Sequence, residues 1–371
     1  MQHLKVQKNL LADALTKVIG SVDRKQIYPV LSHCLVKIEK GGLCLIGSDL
    51  EIQVQITRYA SIDSVSEPIV FTLPAKKVYD FCRALASDEE LTIQILETNR
   101  LSISSKYSNL SVSSFDPASF PEIPSPAQDD IYEITQADLR VAIDSISYGM
   151  AVADIRYYLN GMLFQFDGQE LTLVATDGHR LACRTIPVKI NKEKSLKTSI
   201  IVPRRAVLEL IRLLDHDQSS VKLSFNAQTA VFSFKDMQFV CKLIDGKYPD
   251  YKRVLPKDLP FKIEVEKDEM KQALSQIQPF LSSKEKGFNL VFMENQIEMK
   301  AQNSLNEIIK VSIPSIGAVP GVKIGFNLSY LNDFISSQKG KTFFISLKDD
   351  SAGVIFEDDL SGFYLVMPLR L

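Results

Sequence analysis

The five cysteines of the chain (Cys34, Cys44, Cys82, Cys183, Cys241) include no C-x-x-C pair, and five is an odd number. That argues against a disulfide framework and against a zinc site, and it fits a reducing, intracellular home. No apolar run reaches 18 residues, and the opening MQHLKVQKNLLADALTKV breaks its apolar residues with Lys, Gln and Asp. Neither a membrane span nor a signal peptide is expected, so a cytoplasmic location follows. Net charge is lacking too: 43 Lys and Arg stand against 45 Asp and Glu, a formal −2, so no global positive field draws in nucleic acid. Any surface for DNA must come from sorting charge onto one face. Zinc-finger spacing, a bZIP heptad run and a basic tail are all absent, which excludes the familiar sequence-specific readers of DNA.

Apolar residues make up 45% and charged residues 24%, the balance of a globular protein, and 371 residues are enough for several cores. The chain repeats itself. Leu73-Pro74-Ala75 and Val202-Pro203-Arg204 open periodic segments 129 residues apart, while Ser48-Asp49 and Thr176-Asp177 end strand-like runs 128 apart. Phe120-Pro121-Glu122 and Tyr248-Pro249-Asp250 keep the same 128-residue spacing. After a Pro read as the first helical residue, Val78, Phe81, Cys82 and Leu85 fall at i, i+3, i+4 and i+7, and Val207, Leu210, Ile211 and Leu214 repeat the pattern. A third copy starts from Asn327 as N-cap, with Leu331, Phe334 and Ile335 at the same offsets. An earlier helix recurs in each copy, at Leu11, Leu15 and Val18, at Leu139, Ala142, Ile143 and Ile146, and at Met270, Ala273, Leu274 and Ile277. Alternating runs such as Leu91-Thr92-Ile93-Gln94-Ile95, with turn signals at Gly41-Gly42 and Asp167-Gly168, supply strands. The reading is α+β, three similar domains in tandem over 1–128, 129–256 and 257–371, each ordered helix, strands, helix, strands, with Pro-rich connectors between them.

Lys76 and Arg83 lie on the side of their helix opposite its apolar stripe, and Arg205 and Arg212 take the matching places 129 residues on. In the third helix Ser329 and Ser336 stand there instead. A cationic helical face repeated in a neutral protein suits contact with phosphates without reading of bases.

At Arg156-Tyr157-Tyr158-Leu159-Asn160-Gly161-Met162, Ala175-Thr176-Asp177-Gly178-His179-Arg180-Leu181, Tyr248-Pro249-Asp250-Tyr251 and Met367-Pro368-Leu369-Arg370-Leu371, the chain resembles the bacterial DNA polymerase III beta subunits, the sliding clamps. The resemblance runs from end to end. It implies three clamp domains per chain and two chains closing into a six-domain ring, helices lining the hole and sheets outside. It implies a processivity factor that encircles duplex DNA and is not an enzyme, with no cofactor and no metal. Implied partners are double-stranded DNA without sequence preference, a second copy of the chain, the polymerase III alpha subunit, the clamp-loader delta subunit, and other polymerases and repair proteins bearing short Leu/Phe peptides. No membrane partner is implied. Carried over by position, a peptide pocket between the second and third domains has an apolar depression of Leu159, Leu181, Pro249, Val254, Leu365 and Met367. Thr176, Gly178, His179 and Arg180 form its polar edge, with Arg156, Tyr158, Pro368 and Arg370 around it. Arg24 and Lys25 align with a DNA-contacting loop, whereas Val152 and Ala153 replace polar residues before Arg156. Leu365 and Leu369 replace the usual Val and Met. The expected dimer edge keeps Arg100 and Lys106, but Tyr107 and Asn109 and the single-acid stretch Ser304-Leu305-Asn306-Glu307 point to closure by apolar burial and strand pairing rather than ion pairs.

A metal-dependent nuclease or phosphodiesterase on repeated α+β units is the rival reading. Asp177, His179 and Arg180 lack a nucleophile, and Asp215-His216-Asp217 sits where a polar helix-end turn is expected. Gly340-Lys341-Thr342 follows a helix and precedes a strand, the reverse of a phosphate-binding loop. Asp349-Asp350 and Glu357-Asp358-Asp359 read as solvated turns.

Overall fold

The computed structural model describes residues 2–22, 28–39, 41–59, 67–86, 89–96, 99–125, 131–191, 197–282, 286–319, 321–358 and 362–370. Helices fall at α1 (Lys8–Val18), α2 (Ala75–Ala84), α3 (Gln136–Ile146), α4 (Arg204–Leu213), α5 (Lys267–Ile277) and α6 (Leu328–Ser337). Among the described residues none is long and apolar enough to cross a membrane. The apolar offsets read from sequence are the buried stripes: Leu11, Leu15 and Val18 on α1, Val78 and Cys82 on α2, Leu331, Phe334 and Ile335 on α6. Asn327 caps α6, its side chain accepting the Ser329 N–H.

Two expectations change. Each repeat opens on a strand before its first helix (Gln2–Gln7, Tyr132–Thr135, Phe261–Glu266), and that strand pairs with the one after the second helix. These strands bury only two or so residues each, Leu4 and Val6 or Ile263 and Val265, too few for a visible alternation. Pro74 and Pro203, read as first helical residues, instead end strands and pair with His33 and Gly161. A φ of −68° suits helix and strand alike, and ψ of 98° keeps Pro74 extended.

Every repeat holds two four-stranded antiparallel arrays, and the arrays fuse. The chain forms two compact units, one of residues 1–136, 190–192 and 208–243, the other of 137–189, 193–207 and 244–371. In the first unit Ile52–Tyr59 pairs with Met237–Lys242, merging an array of the first repeat with one of the second in a sheet that a further two-residue strand brings to nine. In the second unit Arg180–Pro187 pairs with Gly362–Val366, merging the other array of the second repeat with one of the third in an eight-stranded sheet. Each unit keeps one four-stranded sheet that ends on an open edge among the described residues, Asn109–Ser113 in the first and Ile308–Pro314 in the second.

An arginine stands at each fused seam. Arg58 bonds Asp13 of α1 at 2.6 Å and also Asp236, which precedes the paired strand. Arg184 grips Asp358 with two bonds of 3.1 and 3.0 Å, both side chains buried, and its Nε reaches Ser145 at 3.3 Å. Asp358 is therefore no solvated turn residue, contrary to the sequence reading. The carboxylate is folded inward because a buried guanidinium needs a partner. Asp359 lies outside the described residues. The second unit's core is aromatic, with Phe334, Phe343, Phe356 and Tyr364 meeting at 5.3–6.5 Å, each such burial contributing about 1.5–3 kcal/mol. All five cysteines are free thiols, four of them buried.

Candidate functional site

The turn joining Glu170–Thr176 to Arg180–Pro187 is fixed by its own side chains. Asp177 Oδ1 accepts the N–H groups of His179 and Arg180 at 2.9 and 3.1 Å, and Thr176 Oγ1 accepts that of Gly178 at 3.1 Å while donating to Arg180 O at 2.6 Å. Gly178 has φ of +90°, a backbone conformation that favours glycine, and its bare Cα lets the Arg156 guanidinium lie close against the turn. Arg156 lies across this turn with Nη2 on Asp177 O at 3.0 Å and a forked bond to Asp154 at 3.0 and 2.8 Å. Those bonds from the Arg156 side chain and its backbone N–H hold the Asp154 carboxyl near a pKa of about 2.

The C-terminal segment docks on the same turn. Met367 N–H donates to His179 O at 3.0 Å, and Leu369 N–H to Gly325 O at 2.8 Å. Beneath them Leu181 and Leu365 pair in register within an apolar cluster of Leu163, Val174, Cys183, Ile201, Tyr248 and Tyr251, against which Tyr158 packs. Tyr248 donates its hydroxyl to Val174 O at 3.3 Å, and burial pushes the Tyr251 phenol up to about 12. Val254, Met367 and Leu369 stay 55%, 43% and 42% exposed, an apolar rim over that floor. Exposed apolar groups beside a well-packed base can seat the apolar side chains of a short peptide.

The structure thus gathers Arg156, Tyr158, Thr176, Gly178, His179, Leu181, Leu365 and Met367, with Pro368 beside Met367. Pro249 and Val254 flank the buried Tyr251, and Arg370 is exposed at the segment's end. Leu159 is buried, its carbonyl accepting the Ala151 N–H, so it lies under the surface rather than in it. Arg180, expected at the rim, points inward. Its Nε bonds Asp177 at 3.0 Å, Nη1 bonds Asp333 at 2.6 Å and Nη2 bonds Tyr148 O at 2.8 Å, and its guanidinium stacks 4.4 Å from the Tyr330 ring. A planar fork with that many acceptors is a tie between elements and has little left for a ligand. Leu369, noted in the sequence as the replacement of a usual Met, is anchored by its N–H on Gly325 O, a partner the sequence did not offer. The pairing that selects Gly325 is long-range and leaves no local signal.

A cleft of about 500 Å³ adjoins the turn, lined by Met150, Val152, Asp154, His179, Arg204 and Asp333. Asp154 and Asp177 in it already hold arginines, and no nucleophile stands beside His179. Among the described residues no three His, Cys, Asp or Glu are grouped to hold a metal. Above the cleft the loop before Arg156 carries Val152 and Ile155 at 73% and 97% exposure, so its tip is apolar, as its composition implied.

The basic helical face is uneven. On α2, Lys76 pairs with Asp80 at 2.6 Å and Arg83 lies 5.7 Å from the Tyr79 ring, both cations exposed. On α4, Arg205 and Arg212 are both exposed, but the Arg212 guanidinium is held by groups of its own chain. Its Nη1 bonds Thr16 O at 2.7 Å, Nη2 bonds Lys17 O, and Nε bonds the buried Glu209 at 3.1 Å. A guanidinium there meets the carbonyl end of α1 and caps it, so Arg212, expected only as a phosphate contact, is also a structural tie. Gly20 makes room: a Cβ on it would meet Glu209 Oε1 at 2.1 Å. Arg24 and Lys25 lie outside the described residues.

Three tandem α+β repeats, fused edge to edge through shared sheets and carrying an apolar recess at one seam, define the class of DNA sliding clamps. Family models for the N-terminal, central and C-terminal domains of the DNA polymerase III beta subunit match residues 2–124, 133–250 and 252–370. Beta sliding clamps of Salmonella typhimurium and Escherichia coli K12 are 36% and 35% identical over 99% of both chains. A DNA polymerase III subunit beta from Pseudomonas aeruginosa superposes with a TM-score of 0.93 at 31% identity over the whole of both chains. A sliding clamp of the same organism bound to griselimycin gives 0.93 at 32% identity, covering 100% of this chain and 99% of that one. The chain belongs to the DNA polymerase III beta subunit family, and its function is that of a DNA sliding clamp. These matches give the nuclease reading no support.

Proposed function

We propose that two copies of this chain close head to tail into a six-domain ring around duplex DNA, helices toward the hole and sheets outside. The ring lets polymerases and repair proteins ride the duplex without itself catalysing a reaction, and it works in the cytoplasm. One observation carries the reading. At both seams within the chain, the third strand after a repeat's first helix pairs with the last strand of the next repeat: Ile52–Tyr59 with Met237–Lys242, and Arg180–Pro187 with Gly362–Val366. By that rule the open edge of Ile308–Pro314 seeks a last strand, and Asn109–Ser113 is a last strand whose outer edge is unpaired among the described residues. A second copy satisfies both, and an unsatisfied edge is a pairing template.

The flanks of these edges favour apolar closure. Leu305 and Tyr107 are 77% and 85% exposed, whereas Arg100 is bonded to Ser111 and Glu307 to Asn303 within the chain. Light scattering at micromolar concentration should give twice 41.6 kDa, unchanged at about 0.5 M salt, where exposed charges no longer sense one another. A monomer, or dissociation with salt, would contradict the closure.

The recess of Val254, Met367 and Leu369 over the Leu181–Leu365 floor is the tethering site in this reading. Its ligands are short Leu/Phe-bearing peptides of the polymerase III alpha subunit, the clamp-loader delta subunit and other polymerases and repair proteins. Domain boundaries near residues 128 and 256 complete the proposal, each beside a Pro-rich connector.

A further inference from the structure

On the outward face of α2, Lys76, Tyr79, Asp80 and Arg83 stand at i, i+3, i+4 and i+7, opposite the buried Ala75, Val78 and Cys82. The half-exposed Tyr79 ring takes both cations: Lys76 Nζ lies 5.6 Å and Arg83 Cζ 5.7 Å from its centroid, inside the range of cation–π attraction. The corresponding position is Leu208 on α4 and Asn332 on α6, and neither can hold a cation in this way. The cation of α4 that matches Arg83 is Arg212, which is spent on Thr16, Lys17 and Glu209. Of these three helices, α2 alone pairs an aromatic ring of its own with outward-held cations.

We propose that Tyr79 is a DNA-backbone contact: its ring holds Lys76 and Arg83 toward the duplex, and its hydroxyl offers a neutral donor to a phosphate. The proposal rests on the clamp reading above. A guanidinium lying against a ring keeps its in-plane N–H groups free at the edge, the geometry that phosphate oxygens accept. The Lys76–Asp80 bond is an exposed i,i+4 pair, the weak kind that a phosphate displaces. Tyrosine hydroxyls belong to the ordinary set of phosphate contacts, which position a protein on DNA without reading sequence. Domain 1 would then supply the main drag on sliding.

The test is the diffusion coefficient of the dye-labelled, loaded ring on duplex DNA at low and high salt, for wild type, Tyr79→Phe, Tyr79→Ala, Arg83→Ala and the double variant. Tyr79→Ala should diffuse about two- to fivefold faster at low salt, the span of one exposed cation–π contact. The gap should close at high salt, and the double variant should exceed Arg83→Ala by little, since both changes remove one coupled unit. Tyr79→Phe keeps the ring and the charges, so it should diffuse slightly faster with an unchanged salt slope. Wild-type diffusion of Tyr79→Ala, or effects of Tyr79→Ala and Arg83→Ala that simply multiply, would overturn the proposal. Should Tyr79→Ala lose the dimer mass, Tyr79→Phe decides the hydroxyl contact alone, and diffusion equal to wild type refutes it. Failure of the wild-type ring to stay on circular DNA is a separate result that removes the clamp reading itself.

Discussion

Replacing Asp358 by Ala should be among the costliest single changes in the second compact unit. The carboxylate and the Arg184 guanidinium are 6% and 8% exposed and meet through bonds of 3.1 and 3.0 Å, with Ser145 Oγ the further partner of Arg184 at 3.3 Å. Losing the acid strands a desolvated guanidinium in a place water reaches poorly, at a cost of about 3–5 kcal/mol. For a unit of this size each kcal/mol lowers Tm by roughly 2–4 °C, so a drop of at least about 6 °C is expected. Differential scanning calorimetry reads it directly. The pair variant Arg184→Met with Asp358→Leu should recover most of the loss, because an apolar pair of similar volume leaves no orphaned charge. A single variant that melts within about 1 °C of wild type, or a pair variant worse than the single one, would refute the reasoning. The seam strands Arg180–Pro187 and Gly362–Val366 also floor the recess, so peptide affinity should fall with stability in the single variant.

Arg212→Ala should cost about 1–2 kcal/mol in urea denaturation by uncapping α1 and removing a charge-assisted bond from the buried Glu209; stability equal to wild type would remove its structural role. His33 is 3% exposed, edge-on to Phe115 at 4.6 Å, and burial followed by the nearby Lys77 charge lowers its pKa to about 4. Its folded-state pKa lies below the unfolded value, so its contribution is full above pH 6.5 and is lost as pH falls through about 4, in all about 3 kcal/mol. The variant His33→Leu should lose less stability than wild type between pH 7 and 4.5, and parallel loss would sink the assignment. Deleting Met367 to Leu371 should abolish binding of a Leu/Phe peptide in fluorescence anisotropy while the dimer mass stays; unchanged affinity would remove the recess as the tethering site.

The parts of this fold that were legible in sequence are those written in local spacing. The apolar stripes of α1, α2 and α6 and the Asn327 cap follow from i, i+3, i+4 offsets, and the 128-residue period follows from turn prolines. Strands with only two buried residues, such as Tyr132–Thr135, leave too little pattern to be seen. The ties made by Arg180, Arg212 and Asp358 were illegible for a different reason. Their partners Asp333, Thr16 and Arg184 lie 153, 196 and 174 residues away, and on a helical wheel or in an acidic run a committed charge looks the same as a solvated one. Motif resemblance located the recess, but only the packing divides its floor (Leu159, Leu181, Leu365) from its rim (Val254, Met367, Leu369).

Threading of the duplex is tested most directly by loading the ring onto nicked circular DNA, removing the loader, and following retention before and after a single restriction cut. Stable retention on the circle with rapid loss from the cut molecule is the predicted result, along with rescue when both ends are blocked by bulky protein. Equal retention on circle and open fragment would contradict it, since a surface-bound protein does not sense the ends of its DNA.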